Sequence, residues 1–420
     1  MIKNLRWYIV GLLALLTAIN YLDRNALSIA QTVLEDEFGM TNRDYGHIVS
    51  LFLIAYGVMH PFAGRIIDKL NTRRGLSLAL IWWSLAGIGH AFVSSVAGFG
   101  FARFFLGIGE SGNFPGAIKT VGEWFPPKER AMATGIFNVG AGLGAIIAPP
   151  LVGYLILRFG WRAAFIATGT LGFLWLIPWL KLSQKPEQNK RITPEELNYI
   201  RSGQEECEEN DGKQMSLLNA LGQRDLWALM MARFMSDSAW FFFAFWIPKY
   251  FKDARGFDLK QIAMFVWLPF VAADIGSVVG GALSSLLIKR GVSVIKARKL
   301  ALCSCALLMP VAILTVHAQS WQLAIVCLGV ATFAHQAWAA SVLTLPADLF
   351  PKSIVATTYG LTACMGTLGG VLTQWLVGGV IDTVGYVPVF TVIGFLHPIA
   401  AMIIILLVSQ KITTIKSSVA

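Results

Sequence analysis

Apolar stretches of roughly 20 residues recur along almost the whole chain, each long enough to cross about 30 Å of hydrocarbon as a helix. Only helices suit that repeat, because in lipid the backbone groups of such a segment must find their partners inside it. The pattern predicts twelve spans, at 7–30, 44–68, 75–95, 97–119, 130–156, 161–182, 226–251, 258–287, 298–317, 320–345, 355–382 and 385–409. One long polar segment, Ser183 to Arg224, rich in Glu, Lys and Gln, separates the sixth span from the seventh. The chain therefore reads as an all-α membrane protein with a six-helix bundle over 1–182 and a cytoplasmic linker over 183–224. A second six-helix bundle and a short cytoplasmic tail fill 225–420. Within the linker, Thr193-Pro194-Glu195-Glu196 supplies an N-cap residue, a proline at the first helical position and a Glu three residues after the cap, so a short helix is expected there.

The two halves repeat each other. Glu123-Trp124-Phe125-Pro126 with Gly135, Gly144, Gly153, Gly160 and Phe165 recurs as Asp348-Leu349-Phe350-Pro351 with Gly360, Gly369, Gly378, Gly385 and Phe390, at a constant offset of 225 residues. A duplicated six-helix unit follows, and pseudo-symmetric repeats of this kind are how transporters commonly build a substrate site near the bilayer midplane. A channel or a membrane enzyme does not need that symmetry.

Composition agrees. The chain is 55% hydrophobic and only 14% charged, with mean hydropathy +0.62, against about 25% charged residues in soluble domains. A net charge of +10 would suit nucleic acid, but the Lys and Arg residues sit in short links between apolar segments and not on one basic face. Placing the N-terminus inside puts Lys69, Arg73 and Arg74, then Lys128 and Arg130, then Lys289, Arg290, Lys296, Arg298 and Lys299 on the cytoplasmic side, and Glu35, Asp36 and Glu37 outside. Both termini are then cytoplasmic. The basic start followed by an apolar run from Trp7 has no small-residue cleavage site before the polar cluster Asn20 to Asn25, and reads as an uncleaved first span. Five cysteines, Cys207, Cys303, Cys305, Cys327 and Cys364, have neither metal-ligand spacing nor a paired framework and read as structural.

A charge at the centre of a span costs about 2.5 to 3.5 kcal/mol on insertion scales, so the few present are informative. They are Asp23 and Arg24 in the first span, Arg103 and Glu110 in the fourth, Asp237 in the seventh and Asp274 in the eighth. Arg103 and Glu110 are seven residues apart, almost two turns, and so share one helix face. An arginine on a water-filled cavity presents a planar fork that matches a carboxylate. Shielding from water lets a carboxyl group exchange a proton near neutral pH. Together these groups suffice to carry an organic anion with protons, although the same four residues can also neutralise one another as buried ion pairs. His335, followed by Gln336, stands 225 residues after Glu110 and at the equivalent depth of the second half. It reads as a ligand for substrate hydroxyls, or as a hydrogen-bonded packing residue. Asp237 and Asp274 either line the cavity or are paired structurally. Trp240 and Tyr56 are candidates for stacking on or hydrogen-bonding a sugar-like cargo, while His47, His60, His90, His317 and His397 read as interfacial or packing residues.

Gly64-Arg65-Ile66-Ile67-Asp68-Lys69-Leu70-Asn71-Thr72-Arg73-Arg74, between the second and third spans, resembles the loop signature of the major facilitator superfamily. In that signature an acidic residue and a basic cluster staple helix ends and gate the inward opening. Asn71 stands where a glycine is usual. Asp23-Arg24, the run from Arg103 to Glu110, and Glu123-Trp124-Phe125-Pro126-Pro127-Lys128-Glu129-Arg130 look like the anion:cation symporter family, which includes bacterial sugar-acid carriers and vesicular glutamate carriers. The resemblance implies that Arg24 holds the substrate carboxylate, that Arg103 is the second arginine, and that Tyr56 is a cavity tyrosine. It implies proton coupling through Glu110, with Asp23 as a second proton site. Gly256 to Phe265 and Phe333-Ala334-His335-Gln336 resemble the hexuronate carriers, whose cargo is glucuronate and galacturonate. The seventh span has no arginine at the depth of Ser236, where vesicular carriers have one, which argues against a dicarboxylate cargo.

The expectation is a proton-coupled symporter of a hexuronate working by alternating access, a monomer in a bacterial inner membrane. A carrier of galactonate, glucarate or another organic anion, or an organic-anion exchanger, is the alternative. No catalytic constellation, phosphate-binding glycine loop or metal-ligand cluster supports an enzyme, and no cofactor or nucleic-acid partner is expected.

Overall fold

A computed structural model of the chain describes residues 2–205, 221–350 and 355–409, almost entirely as helix. The side chains of Asp68, Lys128, Arg130 and Lys289, and residues Cys207 and Pro351, lie outside the described residues.

The first two spans are α1 (Leu5–Phe38) and α2 (Asn42–Leu70). Gly39, at φ 62°, stops α1 by returning its N–H to Glu35 O, and Thr41 with Asp44 forms a reciprocal capping box that starts α2. Asn71, at φ 66°, separates α2 from α3 (Thr72–Gly89), and its side chain accepts from Arg74 N. With ψ 163° this position lies outside the left-handed helical well, in backbone space that glycine alone enters readily, so Asn71 holds a glycine-like conformation where the signature usually has glycine. The fourth span is a pair, α4 (Val96–Glu110) and α5 (Asn113–Trp124), interrupted just after Glu110.

Spans five and six are the two arms of α6 (Pro127–Leu182), whose helical path breaks at Gly160 with φ 82° and ψ 164°. An unbroken helix of 56 residues would be about 84 Å long, far more than a bilayer needs, so the break turns the chain back. The linker carries α7 (Pro194–Glu205), at the position that its capping sequence predicts. The second half contains α8 (Arg224–Arg255), then α9 (Leu259–Phe265) with α10 (Leu268–Lys289), and α11 (Val294–Leu308) with α12 (Val311–His317). It closes with α13 (Trp321–Val342), α14 (Leu345–Leu349), α15 (Val355–Val384) and α16 (Tyr386–Leu407). The interruptions inside spans eight, nine and ten fall beside Pro269, Pro310 and Pro346, where the missing N–H and the ring clash prevent an unbroken ladder. Every one of the twelve expected spans thus has its helix or helix pair.

Eight segments among the described residues are long and apolar enough to cross a membrane on length and composition. The eight omit α2, α4 with α5, and α8. The charges on α8, among them Arg233, Asp237, Lys249 and Lys252, account for its lower hydropathy.

Among the described residues, 2–205 with 245–267 pack as one compact unit, and 221–244 with those from 268 to 409 as another. The sequence repeat is also a packing repeat. A Cβ added at Gly144 would run into the Ala18 carbonyl oxygen on α1, and one added at its counterpart Gly369 would run into the Phe234 carbonyl oxygen on α8. Small residues here let two backbones come together in each unit, as membrane helices do when no water drives their association. In the first unit α7 docks on the start of α1. Glu196 accepts from Leu5 N at 2.9 Å, Arg6 N at 3.1 Å and Arg6 Nη1 at 2.9 Å, while Arg6 Nε donates to Glu129 Oε2 at 3.1 Å. Glu196 therefore caps α1 in place of Asn4, whose side chain makes no cap hydrogen bond.

Candidate functional site

The first unit gathers its membrane-embedded charges around α1. Asp23, Arg24, Arg103 and Glu110 are all buried, Glu110 completely. Arg24 Nε donates to Glu110 Oε2 at 3.0 Å, and an Arg24 terminal nitrogen lies 2.9 Å from the same oxygen. The other carboxylate oxygen, Oε1, has no hydrogen-bond partner among the described residues. The Arg24 guanidinium is boxed by three rings, 4.7 Å from the centre of Tyr21, 5.2 Å from Phe52 and 4.9 Å from Tyr56. Such cation–π contacts hold the fork in place without occupying its donors. Asn20, one turn earlier on α1, accepts from Arg24 at 3.3 Å.

Arg103 reaches the same place from α4. Its Nη1 donates to the Arg24 carbonyl oxygen at 3.1 Å, while Nε and Nη2 have no partner among the described residues. It braces the backbone of α1 and keeps donors to spare. Both oxygens of Asp23 are buried without a hydrogen-bond partner among the described residues. The Thr168 hydroxyl, on the second arm of α6, interacts with Asp23 and donates to Phe165 O. The expected set of four therefore resolves into one ion pair, one brace and one bare carboxyl. Packing explains the convergence: Gly107 on α4 leaves room for the Phe52 carbonyl on α2, bringing Phe52 and Tyr56 beside Arg24.

The second unit has its own cluster. Trp240 on α8 lies flat on His335 of α13, with ring centres 5.0 Å apart and an interplanar angle of 10°. His335 Nδ1 is 3.1 Å from His397 Nε2 on α16. Trp338 meets His397 edge-on at 5.3 Å. Gln336 is half-buried on the same helix as His335. Asp237, left open between cavity and pairing, is paired: Arg233 Nε donates to its Oδ2 at 2.8 Å, and Gly366 leaves the space that this carboxylate fills. Asp274 is half-buried on α10.

Sequence reasoning passed over Asn20, Tyr21, Phe52 and His397 as site residues. Asn20 stands one turn from Arg24, and His397 is a lone imidazole in the centre of an apolar helix, so both left a signal. Tyr21 and Phe52 left none, because aromatic residues are abundant throughout. At the loop between α2 and α3, Gly64 lies on α2 near its end, Lys69 and Arg74 are exposed, and Arg73 donates to Leu180 O at the end of α6. Beside them is a cavity of about 220 Å³ whose lining includes Arg73, Arg74, Ser183 and Lys185. It is remote from the buried charges, and chemistry, not volume, singles out Arg24 and Glu110.

Residues 13–334 match the family model described as Major Facilitator Superfamily. The chain belongs to that superfamily. Among curated proteins, it is 37% identical over 412 residues to the hexuronate transporter of Escherichia coli (strain K12), covering 98% of this chain and 95% of that one. It is 39% identical over 310 residues to the galacturonate transporter of Dickeya chrysanthemi, covering 73% of this chain and 90% of that one. Among solved structures, that of a D-xylose-proton symporter superposes with TM-score 0.73 at 15% identity, covering 96% of this chain and 98% of the other. The major facilitator fold expected from the resemblance of the Gly64 to Arg74 loop is the fold of this chain.

Proposed function

We propose that the chain is a proton-coupled symporter that brings a sugar acid, a hexuronate such as glucuronate or galacturonate, into the cell by alternating access. The observation that carries this reading is the buried guanidinium fork of Arg24, held by one oxygen of Glu110, with the buried carboxyl of Asp23 next to it in the chain. While Glu110 is ionised it occupies Arg24. A proton on Glu110 releases the fork, and the carboxylate of the sugar acid takes its place, with Arg103 contributing spare donors. The proton on Glu110 offsets the negative charge that the cargo carboxylate brings, and Asp23 accepts a second proton. His335, Gln336, Trp240 and Tyr56 meet the hydroxylated ring. The names of the relatives, which are transporters and not enzymes, support the cargo class.

In this reading Gly64, Asp68, Lys69, Arg73 and Arg74 gate the cytoplasmic opening, both termini are cytoplasmic, the carrier sits in a bacterial inner membrane, and one chain suffices. The test is uptake of labelled glucuronate by proteoliposomes under an imposed pH gradient, alkaline inside. Accumulation above the external concentration that a protonophore abolishes is expected. Accumulation indifferent to the protonophore sinks the coupling, and a panel of unlabelled sugar acids in which galactonate or glucarate competes better than either hexuronate sinks the cargo.

A further inference from the structure

His397 has no role in the transport cycle proposed here, yet it is completely buried in the middle of α16, with one ring nitrogen bonded and the other without a partner among the described residues. A single proton lies between His335 Nδ1 and His397 Nε2, and there are two ways to place it. If His335 donates from Nδ1, then His397, neutral and accepting at Nε2, carries its own proton on Nδ1. That Nδ1 is buried without a partner among the described residues, so this choice strands an N–H. If instead His397 donates from Nε2, its Nδ1 is a bare lone pair. Stranded buried N–H groups are rarer than under-satisfied acceptors, and leaving a buried donor unmade costs its full desolvation. The second arrangement wins. His335 then accepts at Nδ1, and its own proton must sit on Nε2.

We propose that His397 is a positioning residue that locks His335 in the Nε2–H tautomer, so that His335 offers the cargo a hydrogen-bond donor and not an acceptor. Trp240 completes the arrangement by covering one face of the His335 ring, which leaves the ring edge at Nε2 as its polar contact point. A donor suits the lone pairs of a hydroxylated acid, on a ring oxygen, a hydroxyl or the carboxylate itself. The donor's use by a sugar acid rests on the proposed function; the tautomer does not.

Two measurements on the full-length protein separate those layers. With only six histidines in the chain, nitrogen-15 spectra of histidine-labelled protein distinguish protonated from bare ring nitrogens, and the His397→Gln and His397→Leu variants assign the pair. The expected spectrum has His335 protonated on Nε2 and His397 on Nε2. In His397→Leu, which has no donor, His335 is expected to redistribute its proton, and KM for glucuronate uptake to rise roughly five- to tenfold with Vmax within about twofold, the loss of one oriented hydrogen bond. His397→Gln, whose side-chain amide donates at similar reach, should recover most of the KM. A wild-type His335 protonated on Nδ1, or a His335 tautomer unmoved by His397→Leu in a protein that melts normally, overturns the proposal. A tautomer as expected with an unchanged KM upholds the lock and removes His335 from the cargo site.

Discussion

Arg24 can serve only one carboxylate well at a time. Glu110 holds it through a single oxygen, within a box of Tyr21, Phe52 and Tyr56 that keeps the guanidinium fixed whichever partner it has. Arg24→Lys keeps the charge and loses the planar fork, so affinity for glucuronate should fall about tenfold or more, read as competition against labelled substrate. Unaltered affinity would count against capture by the fork. Glu110→Gln removes the group that takes the proton and leaves Arg24 without its buried counterion, a change that costs about 3 to 5 kcal/mol when nothing replaces it. Substrate carboxylate can replace it, so the variant should bind and exchange glucuronate across the membrane yet fail to accumulate it under a pH gradient. Accumulation at the wild-type level would remove Glu110 from coupling. These residues were legible in the sequence because a charge inside an apolar helix is costly and rare. Asn20 and His397 left a weaker signal and Tyr21 and Phe52 none, because an uncharged side chain in such a helix carries no comparable penalty.

At the level of elements, the positions that matter most are those without side chains. Gly144 on α6 and Gly369 on α15 face carbonyl oxygens on α1 and α8 respectively. Gly144→Val and Gly369→Val should each cost about 1 to 3 kcal/mol through overpacking, lowering the melting temperature in detergent. Gly11→Ala on α1, where an added methyl group meets nothing within 4 Å, is the matched control and should melt at or slightly above the wild type. Equal behaviour of the three variants would refute the packing argument. Hydropathy located all twelve spans but missed the break between α4 and α5, because Ser111 and Gly112 lie within an apolar run; the local cause is Pro115, which cannot donate to Ser111 O and whose ring crowds that carbonyl. Where prolines stand, beside the breaks within spans eight, nine and ten, the interruption had a local cause that the sequence displays.

Across the whole molecule, the contacts that leave no periodic trace are those between residues far apart in the chain. Residues 245–267 pack with 2–205, and Lys249, completely buried, lies 2.9 Å from Glu35, 214 residues away. No hydropathy pattern encodes that partnership. The docking of α7 was equally invisible, although its helical start was plain from Thr193 and Pro194. Glu196→Ala withdraws a carboxylate from two backbone N–H groups and from Arg6, and should cost about 1 to 3 kcal/mol of stability while leaving KM for glucuronate unchanged. An undiminished melting temperature would show that α1 does not depend on this cap. The single-residue breaks at Gly160 and Gly385 bear on how the protein is made. Each joins two apolar helices through one non-helical glycine, so the chain reverses within a residue or two and ties the two helices of a pair closely together as they enter the bilayer. A turn that short makes each pair, five with six and eleven with twelve, a ready-made helical hairpin.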